Sequence, residues 1–125
     1  MATPKRMKFG VFMAPFHRVG ENPTLALERD LELLQWLDTL GFDEAYIGEH
    51  HSAGWETIAS PELFMATAAE RTRHIRLGTG VASLPYHHPL MVPNPMSQLD
   101  QITPATLNHR VGPGALASAP IMLGI

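Results

Sequence analysis

The stretch 43-DEAYIGEHHSAGW-55 starts as a strand interior and ends in a carboxylate, two imidazoles and a glycine. Ala45 to Gly48 form a short apolar run of the kind found in strands buried on both faces, and Glu49, His50 and His51 stop it abruptly. Comparable runs lie on either side. Upstream, 7-MKFGVFMAP-15 is a first strand closed by a proline; downstream, 74-HIRLGTGVASLP-85 is a third. Between the first two, Asn22 can cap a helix and Pro23 suits its first position. Leu27, Leu31, Leu34 and Leu37 or Trp36 then recur at helical spacing up to Gly41. Ser60-Pro61 opens a second helix that runs to about Arg73. The order is βαβαβ. Equivalent points Phe9, Ala45 and Leu77 fall 36 and 32 residues apart, which predicts right-handed crossovers and a parallel α/β sheet.

After Val92 the pattern weakens. Leu90, Met91, Met96, Leu99 and Ile102 could line a third helix, but Pro93 and Pro95 lie within it, and an interior proline costs about 3 kcal/mol. A kinked or late helix from about Pro95 to Gln101 is expected. The segment 105-ATLNHRVGPG-114 falls where a fourth strand is due, yet Asn108, His109 and Arg110 suit a buried strand poorly.

Composition narrows the function. With 125 residues and 45% apolar content, the chain can bury the core of one modest domain. A formal charge of −3, with Lys and Arg scattered, leaves no footprint for nucleic acid or an anionic membrane and favours small-molecule chemistry. The absence of cysteine excludes disulfides, thiolate metal sites and a Cys nucleophile, and fits a reducing cytoplasm. Gly10, Pro15 and His17 break the N-terminal apolar stretch too early for a signal or membrane segment, so a cytoplasmic location is expected.

In parallel α/β folds, chemistry gathers at the carboxyl ends of the strands. Those ends are Met13-Ala14-Pro15, Glu49-His50-His51, Gly80-Val81-Ala82-Ser83 and Gly112-Pro113-Gly114. Strand alternation puts Glu49 and His51 on one side and His50 on the other, unless the strand ends between them. An imidazole there can act as acid, base or ligand, or simply bond a loop carbonyl. A metal hydrolase could draw on the seven histidines with Asp43, Glu49 and Glu56, but such barrels generally carry His-x-His after the first strand, where this chain has 12-FMAPFH-17. The 78-GTGVAS-83 stretch imitates part of a dinucleotide fingerprint in the wrong place, after the third strand instead of the first. Gly78 and Gly80 are better explained by the close approach of a flat ligand or a neighbouring backbone.

Taken together, MKFGVFMAP, GFDEAYIGEHH, IRLGTGVASLPYHHP and the later QLD and VGPGAL resemble the N-terminal half of a bacterial luciferase-like flavin-dependent monooxygenase. The likeness is dense over 7–92 and degenerate over 93–125. It implies the first three to four βα units of a (β/α)8 TIM barrel. It also implies reduced FMN, delivered by a separate reductase, that uses oxygen to oxidise a small organic substrate; F420 with hydride chemistry is the alternative cofactor. By position, His50 resembles the catalytic imidazole, with Glu49 and His51 supporting it. Met13, Ala14, Gly80, Val81 and Ala82 match the flavin rim, although Met13 could equally be plain core. Many relatives have a cis peptide at the place of Gly80-Val81; the alternative is an ordinary strand with Gly80 relieving packing. His88 matches a structural His-Pro.

A barrel of this type needs eight units and about 250 residues. The resemblance places most of the flavin-phosphate clamp and much of the substrate pocket on later strands. In addition, TPATLNHR stands where relatives have a Gly-Arg approach to an apolar fourth strand, and Pro113 where some have a phosphate-contacting Arg. The isolated chain is therefore expected to be a truncated barrel with an incomplete site. Its alternatives are a non-catalytic fragment or a half-barrel that associates as a homo-oligomer.

Overall fold

The computed structural model describes residues 6–14, 16–103 and 107–125. Its strands are β1 (Gly10–Met13), β2 (Glu44–Ile47), β3 (Arg76–Thr79), β4 (Ala82–Ser83), β5 (Leu107–Asn108) and β6 (Val111–Gly112). The helices are α1 (Pro23–Thr39), α2 (Pro61–Arg71), α3 (Pro93–Ile102) and α4 (Ser118–Leu123). All pairings in the main sheet are parallel, in the order β1-β2-β3-β5. Met13, Ile47 and Thr79 share one level of the register, so three strand ends form a common rim. The fold is the opening arc of a barrel.

Alternation along these strands sorts the side chains. Met13, Ala45, Ile47 and Leu77 face the helices and bury against Leu31, Leu34 and Leu37 of α1, Phe64, Met65 and Ala68 of α2, and Met96 and Leu99 of α3. Trp36 is not part of this stripe and remains exposed. The opposite face carries Phe12 and Tyr46, and Phe12 is 57% exposed. The expectation of strands buried on both faces thus holds only toward the helices, because an arc of four strands does not enclose its own concave side. Tyr46 partly covers that side by lying across Gly78, where a β-carbon would stand 2.8 Å from the phenol ring.

The helices start and stop where the local chemistry directs. Asn22 Oδ1 accepts from the N–H groups of Thr24 at 2.9 Å and Leu25 at 3.4 Å, and Gly41 ends the turn after α1 with φ of +80°. The two prolines expected to delay the third helix instead lie in its first turn. Pro93 is the first helical residue and Pro95 the third, positions whose N–H groups have no partner within a helix.

The third and fourth strands do not run through. A cis peptide at Gly80–Val81 separates β3 from β4, and His109–Arg110 separate β5 from β6; β4 and β6 then pair with each other. At the break, Thr79 Oγ1 donates to the Arg110 carbonyl at 2.6 Å and accepts from the Arg110 N–H at 2.9 Å. A side-chain hydroxyl here takes the place of ladder bonds. Among the described residues, no helix is long and apolar enough to cross a membrane.

Asp38, at the end of α1, fixes the entry to β3. Its carboxylate accepts from the N–H groups of Arg73, His74 and Ile75 at 2.9, 2.7 and 2.6 Å. Burial works to raise its pKa, but the three backbone donors outweigh that and hold the carboxyl below its ordinary value. A lowered folded pKa contributes stability above the unfolded pKa and loses it as pH falls through the folded one. Asp38→Asn should therefore cost about 2 kcal/mol at pH 7 in urea melts, and the gap to the wild-type chain should close below about pH 4.

Candidate functional site

Immediately past β2, Gly48 donates its N–H to the Met13 carbonyl at 3.0 Å, and the next three residues diverge. Glu49 turns inward and is 4% exposed. Its Oε1 accepts from Nε2 of His51 and from Nε2 of His87, each at 2.6 Å, and its Oε2 accepts the backbone N–H of Ser83 at 2.8 Å. One carboxylate therefore joins the end of β2, strand β4 and the segment after it. His87 is a site residue that the sequence does not single out; its only signal is the doubled histidine of 86-YHHP-89, of which His88 has a structural part. His88 Nδ1 accepts the Leu90 N–H at 3.3 Å at the start of a short turn, in keeping with that part.

The ligand atoms of Glu49, His51 and His87 lie within 4.8 Å of one another, a grouping able in principle to hold a metal. The N···O spacings of 2.6 Å decide against this arrangement as a preformed centre. Two ligands on a tetrahedral zinc, each about 2.0 to 2.1 Å from it, stand about 3.3 Å apart. Hydrogen bonding accounts for the cluster.

His50 takes the opposite direction. With Phe12, Gly80, Val81 and residues 111–115 it lines an open cleft of about 350 Å³. Gly80 is needed for close approach, since a β-carbon there would stand 2.9 Å from Tyr46 Cβ and 3.1 Å from the Phe12 ring. Behind the cleft, His50 Nε2 lies 3.3 Å from Oε1 of buried Glu56.

Of the residues anticipated from the sequence, Glu49, His50, Gly80 and Val81 meet at this cleft. His51 is drawn to Glu49 instead. Met13 is 6% exposed on the helix side, where strand parity puts it, and the neighbouring Phe12 takes the cleft position. Ala14 is half-buried beyond β1, Ala82 is buried beside His87 and His109 in a separate small cavity, and Pro15 lies outside the described residues. Sequence reasoning missed Phe12 as a site residue and weighed Glu56 only as a possible metal ligand, not as a neighbour of His50; parity with Tyr46 could have indicated the first.

Cations are scarce here. Among the described residues, no Lys or Arg lines the cleft. Arg110 is committed to Tyr46, with its guanidinium 3.7 Å from the ring centre and a donor 2.8 Å from the phenol oxygen. Burial, then the nearby Glu44 carboxylate, raises the Tyr46 pKa, with Arg110 acting against both.

Residues 7–121 match the family described as luciferase-like monooxygenase. The chain belongs to that family. It is 59% identical over 121 residues to 4-hydroxyprotoasukamycin monooxygenase of Streptomyces nodosus subsp. asukaensis, covering 97% of this chain and 33% of the relative. It is 51% identical over 120 residues to limonene 1,2-monooxygenase of Rhodococcus erythropolis, covering 96% and 31%. The oxygenating constituent of 3,6-diketocamphane monooxygenase from Pseudomonas putida, solved with FMN, superposes with a TM-score of 0.90 at 31% identity, covering 96% of this chain and 33% of that one. The chain thus spans about a third of the length of these relatives.

If the Glu49 carboxylate ties the rim together, Glu49→Ala should cost on the order of 3 kcal/mol in urea denaturation, because it leaves two imidazoles and a backbone N–H without their acceptor. Glu49→Gln, which offers one acceptor oxygen, should cost less.

Proposed function

We propose that this chain forms a flavin-facing part of a monooxygenase site, in which reduced FMN and oxygen serve the oxidation of a small organic substrate. The observation that carries this reading is the cleft itself, where an imidazole meets a glycine-relieved wall at the carboxyl ends of β1, β2 and β3. Phe12, Gly80 and Val81 would hold the flat ring and exclude water from one side of it. Bound reduced flavin supplies the electrons for oxygen activation. His50 is suited to hold or move a proton beside that ring, because Glu49, the other titratable group of the lining, is already used by three donors.

Delivery of reduced flavin by a separate reductase is supported by a relative 32% identical over 111 residues, the trigonelline monooxygenase of Acinetobacter baylyi, which is named as an oxygenase component. FMN is favoured over F420 because the FMN-bound neighbour is 31% identical. The F420-dependent reductase of Methanopyrus kandleri, at 24% and a TM-score of 0.68, is alike in fold alone.

The residues present fit the ring better than the phosphate. Pro113 lines the cleft without a donor, and the nearby Arg110 is engaged by Tyr46. Fluorescence titration of the 125-residue chain should therefore show weak binding of FMN and riboflavin with dissociation constants within about threefold, whereas a phosphate clamp would separate them by about tenfold or more. Turnover with FMNH2 and oxygen should be negligible for the isolated chain. Robust substrate oxidation by it would refute the view that the site is incomplete.

A further inference from the structure

The structure holds two buried carboxylates at this rim, and they are built differently. Glu49 is saturated by three donors, as a buried carboxylate must be to offset its desolvation. Glu56, with its side chain 5% exposed, has Oε1 3.3 Å from His50 Nε2, within ion-pair distance but without hydrogen-bond alignment, and its Oε2 is buried without a hydrogen-bond partner. A carboxylate kept for structure alone would have been satisfied in the manner of Glu49, so this incomplete pairing demands an explanation.

The loop that carries Glu56 is clamped on both flanks by one buried residue. His17 donates its backbone N–H to the Trp55 carbonyl at 2.6 Å, and its Nδ1 pairs with the Thr57 hydroxyl at 2.6 Å. Its Nε2 is held by Asp30 of α1 at 2.8 Å. Phe16 and Glu56 form an antiparallel bridge, and the His50 N–H donates to the Ile58 carbonyl at 3.1 Å. Residues 55, 57 and 58 are therefore all fixed, and residue 56 is presented to the imidazole.

We propose that Glu56 is the positioning residue of His50. Its carboxylate holds the proton of the neutral ring on Nε2, leaving Nδ1 as the basic nitrogen, in the manner of an acid that orients a catalytic imidazole. This rests on the reading of His50 as the proton-exchanging group of the cleft, but its test needs no flavin.

The test is long-range proton–nitrogen NMR on the 15N-labelled 125-residue chain at about pH 8.5, where an ordinary imidazole is neutral, with the His50 ring assigned from His50→Gln. The expected result is a slowly exchanging proton on Nε2 with Nδ1 bare. Glu56→Ala should speed that exchange at least about tenfold while leaving the His17 ring signals unchanged, and Glu56→Gln, which retains an acceptor, should lie between. A proton on Nδ1 in the wild-type chain would overturn the proposal at once, as would unchanged exchange in a folded Glu56→Ala. If Glu56→Ala fails to fold, Glu56→Gln carries the comparison, and wild-type exchange rates in it would count against the proposal. Absence of flavin binding alongside the expected spectra would remove the flavin reading and leave Glu56 in its place.

Discussion

A single buried carboxylate holds the working end of this sheet together. Glu49 sits just beyond the last paired residue of β2, and its two oxygens are claimed by His51, His87 and the backbone of β4. Short parallel strands have little hold on the segments that leave them, because the ladder ends where the loops begin. An anionic acceptor facing three donors at that point fixes the direction of the chain as it departs from the rim. It explains why His51 turns away from the cleft while His50 remains at it, and why the segment beyond the Gly80–Val81 peptide is drawn back toward β2.

Much of the fold was legible because it depends on local signals. Asn22-Pro23 and Ser60-Pro61 state where the two long helices begin, and the spacing of the apolar runs states that the strands are parallel, although the register sets Val11, not Phe9, beside Ala45 and Leu77. What escaped was tertiary. Pro93 and Pro95 look destructive until the helix boundary is known, and the run from His74 to Pro85 gives no sign of being broken by its neighbour at Arg110. The site divided in the same way. The EHH triplet was conspicuous, but its partners His87 and Glu56 stand 38 and 7 residues from Glu49 and are joined to the triplet only by folding. Met13 and Phe12 were separable only by parity, which requires the strand limits.

The concave face is where the short length of the chain matters most. A closed (β/α)8 barrel covers this side with further strands, whereas here Phe12 stands open and Tyr46 is held by Glu44, Asn108 and Arg110. That polar cluster gives the inner face a partial lining of its own. It also commits the Arg110 guanidinium, close to the cleft, to a structural task.

The order of the strands has a consequence for how the protein is made. Because β1, β2, β3 and β5 lie side by side in the order of the chain, each strand pairs with one already synthesised, and none waits for a distant segment. A nascent chain can lengthen this sheet as it emerges from the ribosome, edge by edge. The outer edge of β1, in contrast, is unpaired among the described residues, so its backbone donors and acceptors stay open to a further strand.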